Sequence, residues 1–223
     1  MWEITVSPGK LKWKTRRLYI YHPLKNINRI TTLLLGLIIT ISSCSKQNEP
    51  AKSPEGPLFL SAFKQYLIPQ NQHYCEQSVY SPIDQAELSF WVKFDSSAIY
   101  STVQPRNQYD INKLYGFSDN DAPHHEFSAR IGWRWSDGAL RLFGYIYNNA
   151  VVSYEELGIV SIGAEHSCSI KITSNSYIFS VNEVNKTIPR LSTTGKAKGY
   201  KLFPYFGGDE TAPHDIRIWI KEK

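Results

Sequence analysis

Two stretches concentrate side chains able to hold or transform a ligand. In the first, 128–148, Asp137-Gly138 sits between two runs of β-type residues. An Asp-Gly pair suits a two-residue hairpin turn, whose central positions both need positive φ. That turn fixes the pairing: Ser136 opposite Ala139, Trp135 opposite Leu140, and so on outward. One face then carries Trp135, Leu140, Trp133, Leu142, Ile131, Gly144, Ala129 and Ile146, and reads as core. The other carries Arg130, Arg134, Arg141, Phe143, Tyr145 and Tyr147. Aromatic rings stack on the C–H faces of sugars, and Arg forks grip carboxylates or sulfates in bidentate fashion. The face therefore suits an acidic or sulfated glycan. Alternatively, these residues stack on one another or lie beneath a loop and pair internally with Asp or Glu. Arg134 facing Arg141 is a like-charge pair that calls for an acid or a ligand between them.

The second stretch is 118–126, Ser-Asp-Asn-Asp-Ala-Pro-His-His-Glu, with three carboxylates and two imidazoles. No cofactor is expected, although Asp119 and Asp121 could give oxygen ligands to Ca²⁺. His124 and His125 could serve as bases, ligand contacts or transition-metal ligands, and as neighbours on a strand they would point to opposite faces and not share one metal. The bland alternative is a polar turn stiffened by Pro123. Asp121-Ala-Pro-His124 is echoed by Thr211-Ala-Pro-His214; two such loops at one rim could combine into a single site, or the four-residue echo is chance. No Gly-x-Ser-x-Gly elbow, phosphate-binding loop or zinc-type Cys/His cluster occurs.

The elements that must position these residues are strands. From about residue 76 onward the apolar pattern has period 2, with Gly, Pro, Asn and Asp punctuation and no long run of period 3.6, so the domain is all-β. In 86–94 Ala86, Leu88, Phe90, Val92 and Phe94 alternate with polar residues. A second hairpin closes at Ser174-Asn175 and pairs Ile172 with Tyr177, Ile170 with Phe179 and Cys168 with Val181. The stretch 58–68 could be a short helix or a first strand.

The chain has 223 residues, a net charge of +5 and 13% aromatic residues, too apolar for disorder. Residues 1–43 hold seven of the 25 Lys/Arg and one of the 20 acids, so 44–223 carries 18 basic and 19 acidic residues, a net of −1. The basic character belongs to the leader, and nucleic acid is not an expected partner. Residues 30–43 are apolar, uncharged, preceded by basic residues and followed by Cys44, the plan of a signal peptide. Met1 is the only methionine, so the true start could lie downstream. Residues 44–57, polar and with three prolines, form a flexible tether. The domain then occupies 58–223. Cys75 and Cys168 could form a disulfide in an oxidising compartment or remain two buried thiols.

Ile41-Ser42-Ser43-Cys44 resembles a bacterial lipobox, which implies acylation of Cys44 (palmitate among the chains) and anchoring to a membrane, here the outer membrane of the cell envelope, on its periplasmic or surface side. Residues 168–182, the Phe206-Gly207-Gly208 loop and the closing Asp215-Ile216-Arg217-Ile218-Trp219-Ile220 strand resemble concanavalin A-like lectin/glucanase jelly rolls. The region 60–223, through Asn112 to Asp119, His124-His125, Ser128 to Trp135, Tyr200 to Gly208 and Ala212-Pro213-His214, resembles an uncharacterised family of Gram-negative lipoproteins, which brings no activity with it. These resemblances imply an antiparallel β-sandwich. The Glu-x-Asp-x-x-Glu run of jelly-roll glucanases is absent. The expectation is a lipid-anchored, carbohydrate-binding, non-catalytic domain. The alternatives are a polysaccharide lyase or glycoside hydrolase acting on an acidic glycan, with Arg130, Tyr145 and His125 able to play a lyase's parts, and a structural or adhesion subunit of a surface assembly.

Overall fold

The structure, a computed structural model, describes residues 62–223. The leader, Cys44 and the tether lie outside these residues. The described residues form twelve strands: β1 Lys64–Ile68, β2 Pro82–Gln85, β3 Glu87–Phe94, β4 Asn112–Ser118, β5 Phe127–Ser136, β6 Ala139–Asn148, β7 Val151–Val160, β8 Glu165–Ile172, β9 Ser176–Val181, β10 Val184–Pro189, β11 Ala197–Leu202 and β12 Ile216–Glu222. Of the two options for 58–68, the described part is a strand.

The strands form two antiparallel sheets in the orders β1-β12-β3-β8-β9-β10 and β2-β11-β4-β5-β6-β7. The chain alternates between sheets over β1 to β4, runs β5 to β7 in the second and β8 to β10 in the first, then returns through β11 and β12 to pair with the opening strands. That nested wrapping is a jelly-roll sandwich. Both hairpins have the register their turns dictate: Ser136 opposite Ala139 out to Ser128 opposite Tyr147, and Ile172 opposite Tyr177 to Cys168 opposite Val181. Asp137 and Gly138 have φ of 53° and 70°, as the Asp-Gly turn requires.

The sheets meet through the apolar sides of their strands. In β3, Leu88, Phe90, Val92 and Phe94 are buried while the residues between them are not. Across the interface Phe90 meets Tyr115 edge-on at 5.3 Å between centroids, and Phe94 lies 5.5 Å from Trp133. Gly144 on β6 leaves room for the opposite sheet: a Cβ there would come within 2.9 Å of the Phe179 ring.

Cys75 and Cys168 are both free and buried, so the disulfide alternative does not hold. Cys168 is in the middle of the first sheet, opposite Phe90 and Val181, whereas Cys75 follows β1 with its thiol 3.2 Å from Ser78 Oγ. Burial pushes the Cys168 thiol up to about 12, which keeps it protonated and inert.

Candidate functional site

The outer face of the second sheet is built by an irregularity in β4. Tyr115 and Phe117 point into the core, and plain alternation would send Lys113 with them. The pairing instead steps from Lys113–Gly132 to Tyr115–Ile131, leaving Leu114 as the extra residue of a β-bulge. Leu114 is itself buried in the core, and Lys113 turns to the outer face. There a ladder of cross-strand partners runs Leu202, Gly116, Arg130, Tyr145, Tyr154. Glycine at 116 is a requirement of close approach, because a Cβ would sit 2.6 Å from Arg130 Cα and 2.8 Å from its Cγ. The arginine stem thus crosses bare backbone.

Over this floor opens a pocket of about 500 Å³. Lys113, Arg130, Tyr145 and Tyr147 line its base. The walls come from Tyr74 and Tyr80 in the β1–β2 connection, His124 and His125 before β5, and Tyr200 and Tyr205 at the end of β11 and beyond. Tyr205 is fixed by a reciprocal pair of backbone hydrogen bonds to Lys113, each 2.9 Å.

The charge balance of this pocket is one-sided. Arg130 is 6% exposed, its Nε has no hydrogen-bond partner, and no described carboxylate pairs with it. Its guanidinium lies 5.3 Å from the centroid of Tyr145. Burial works against its charge, and the surrounding tyrosines, Tyr145 first, favour it. A buried charge without a partner costs several kcal/mol. Lys113 Nζ approaches the same ring, 4.6 Å from its centroid, and donates to the Ile111 carbonyl at 2.7 Å. Burial and then the Arg130 charge pull its ammonium down to about 8, against the weaker pull of Asp110. The third cation, Lys201, is neutralised by Glu222 at 2.6 Å. None of the described residues lining the pocket is Asp or Glu. The described lining thus offers no pair of carboxylates of the kind that glycoside hydrolysis commonly uses.

His124 and His125 sit in a turn rather than on a strand, so they do not point to opposite faces; their rings are 4.2 Å apart and both line the pocket. The turn follows from Glu126 N–H and Phe127 N–H both donating to the Pro123 carbonyl. His124 Nδ1 is 2.9 Å from the Tyr200 hydroxyl. Burial, then Arg130, then His125 lower the His124 imidazole to about 4, leaving it neutral at neutral pH. His125 packs edge-on against Tyr147 at 5.5 Å.

The other expected contacts fall elsewhere. Phe143 is 2% exposed, clustered with Ile111 and Tyr145 and covered by the Arg134 guanidinium 4.7 Å from its centroid, so it presents no ring to a ligand. Arg134 donates to the Tyr109 carbonyl at 2.8 Å and to Ser136 Oγ at 3.1 Å. Arg141 pairs with Glu156 at 2.8 Å and approaches Asp137 at 3.8 Å. The like-charge pair is thus relieved by an acid from β7, and of the three arginines only Arg130 serves the pocket.

Asp119 corrects the expectation of a calcium ligand. Its side chain is turned inward and is fully buried. Arg190 donates to both its oxygens, at 2.8 and 3.1 Å, and Tyr177 and Ser192 each donate to Oδ2 at 2.7 Å. With its lone pairs taken, it has none to give a cation. Asp121 pairs with Lys198 at 2.9 Å, and no group of three or more metal-ligating side chains gathers among the described residues. The echoed motifs do not combine: His214 Nε2 bonds the Ser97 carbonyl at 2.9 Å and is absent from the pocket wall.

Lys113, Tyr200 and Tyr205 are among the pocket residues to which sequence reasoning gave no role, as are Tyr74, Tyr80 and Lys201. Tyr200 and Tyr205 lie inside the Tyr200-to-Gly208 segment that marks the resemblance, and Lys113 inside the Asn112-to-Asp119 one, a usable signal. That Lys113 faces outward carries no sequence signal, because only the bulge exposes it.

No protein-family model matches the sequence, and no curated protein matches it. Among solved structures with a similar arrangement of sheets are a glycoside hydrolase family 16 endo-glucanase from Bacteroides ovatus (11% identity, 73% of this chain and 81% of that one, TM-score 0.47) and an alginate lyase (8% identity, 72% and 74%, TM-score 0.47). A botulinum neurotoxin type C structure described as binding two ganglioside molecules is more distant (14% identity, 61% and 30%, TM-score 0.38). The assignment of this chain as a jelly-roll sandwich rests on its own strand order and register.

Proposed function

We propose that the domain binds an acidic glycan, with an anionic group of the sugar on Arg130 and sugar rings against the pocket tyrosines. The observation that carries this reading is a buried guanidinium, without a carboxylate partner, at the base of a pocket whose described lining holds no acid. A carboxylate or sulfate supplies the missing partner, and Arg presents a planar fork for it. Isothermal titration with an acidic polysaccharide and with neutral dextran tests it. Saturable binding of the acidic polymer alone is expected; equal or no binding of both overturns it.

A second reading is favoured by the neutral His124 hydrogen-bonded to Tyr200 beside Arg130. A uronate held on Arg130 has its C5–H acidified. Removal of that proton by the neutral His124 imidazole, with cleavage of the C4–O bond and donation of the Tyr200 hydroxyl proton to the departing oxygen, leaves a 4,5-unsaturated sugar and a free hydroxyl on the departing chain. The same titration mixture, followed for a rise in ultraviolet absorbance, decides between the readings. Binding with no rise leaves a binding module. A rise abolished by His124→Ala makes the site a lyase.

We also propose that Cys44 is acylated and tethers the domain to the outer membrane through the proline-containing tether. Support comes from the apolar run 30–43 and the Ile41-Ser42-Ser43-Cys44 sequence. Expression in a Gram-negative host should place the protein in the membrane fraction and Cys44→Ser in the soluble fraction. A wild-type protein that stays soluble refutes the anchor.

A further inference from the structure

Resting on the acidic-glycan reading, we propose that the pocket requires two neighbouring anionic groups on its ligand, one held by Arg130 and the second by Lys113, so that glycans with contiguous charged sugars are selected over those with isolated ones. The two cations share one aromatic ring, with Lys113 Nζ 4.6 Å and Arg130 Cζ 5.3 Å from the Tyr145 centroid. Cation–π attraction offsets only part of the cost of desolvating them together. A single carboxylate in bidentate contact with Arg130 would leave the ammonium uncompensated. Its one hydrogen bond, to the Ile111 carbonyl, leaves two N–H donors for a ligand. Nothing local takes the role of the second anion: no described Asp or Glu is within ion-pair distance of Lys113, and Glu222 is engaged with Lys201 and Tyr115.

The groups facing Lys113 come from every packed element: Arg130 on β5, Tyr145 on β6, Asp110 and the Ile111 carbonyl just before β4, and the Tyr205 segment after β11. Arg130 disfavours its charge and Asp110 weakly favours it. Its ammonium, poised at about 8, is charged below that pH and discharged above it. Selection for paired anions is therefore present on the acidic side and lost on the alkaline side, whereas the Arg130 contact persists throughout.

The test is a set of titrations with polygalacturonate (a carboxylate on every sugar), heparin (sulfates beside carboxylates) and hyaluronan (a carboxylate on every second sugar), in buffers on both sides of the Lys113 titration. The wild-type protein should prefer polygalacturonate or heparin over hyaluronan by about tenfold or more, the worth of one charge-assisted contact. Stronger binding of heparin assigns the second anion to sulfate, and stronger binding of polygalacturonate to a neighbouring uronate. The preference should vanish at alkaline pH and in Lys113→Met, a near-isosteric change that keeps the packing. Lys113→Arg should retain it at both pH values. Equal affinity for all three polymers, or a preference untouched by Lys113→Met, overturns this inference while leaving the acidic-glycan reading intact. Failure of all three to bind defeats that reading itself.

Discussion

Arg130→Met is expected to lose at least about 30-fold in affinity for an acidic glycan, because truncating a buried hydrogen-bonded charge at an interface costs about 2–5 kcal/mol. The same variant is expected to melt no lower than the wild type. The guanidinium is 6% exposed, its Nε is unpartnered and no described carboxylate neutralises it, so the unliganded fold bears its desolvation without return. Replacing buried charged groups by apolar ones of similar volume is often neutral or stabilising by about 1–4 kcal/mol. Met reaches along the same groove over Gly116 and keeps the contact with Tyr145. Thermal unfolding and titration calorimetry on the same preparation check both halves. Weaker binding with an unchanged or higher melting temperature marks a residue kept for its ligand. A melting temperature several degrees lower would mean that Arg130 supports the fold, contrary to the role assigned here.

Asp119→Asn is expected to have the opposite signature. Asp119 and Arg190 are fully buried, and the carboxylate also accepts from Tyr177, Ser192 and the backbone N–H groups of Asn120 and Lys198. Arg190 in turn donates to the Thr194 and Lys196 carbonyls, so one ion pair ties the end of β4 to 190–196. Breaking a buried pair from one side costs about 3–5 kcal/mol, since the other charge is left stranded. For a domain of this size that is a loss of roughly 10 °C in Tm. The double variant Asp119→Asn/Arg190→Met should recover part of it. Burial alone would raise the Asp119 carboxyl, but the bonds from Arg190, Tyr177 and Ser192 outweigh it and hold the carboxyl below its ordinary value. A depressed folded-state pKa gives stability that is complete above the unfolded value near 4 and drains away as the pH falls toward the folded one. Urea unfolding should therefore show a large gap between wild type and Asp119→Asn at neutral pH and a smaller one in acid. A gap that grows in acid would contradict this assignment.

How much of this was legible in the sequence follows from the range of each interaction. The 128–148 hairpin could be read residue by residue because an Asp-Gly turn is local and sets the parity of everything paired behind it. The fate of its outward residues was not local. Phe143 is covered by Ile111 and Arg134, and Arg141 is answered by Glu156 from the next strand; a hairpin considered alone contains neither the cover nor the acid. Lys113 was invisible for a different reason. Alternation counted back from Tyr115 and Phe117 puts it in the core, and one extra residue, Leu114, reverses that parity. Asp119 looked like a ligand because Asp-Asn-Asp is a polar string, and the distant Arg190, Tyr177 and Ser192 hold it inward.

The bulged, glycine-floored site also has a kinetic consequence. Two uncompensated cations lie in a low-dielectric recess of a region, 44–223, whose overall charge is only −1. Such a recess focuses field lines, while a near-neutral exterior adds little attraction or repulsion of its own. An incoming polyanion is drawn to the pocket mouth over about one Debye length, roughly 8–10 Å in physiological salt. Ionic strength will therefore act chiefly on the association rate, and the residence time will be set by the tyrosine walls and the short-range contacts inside.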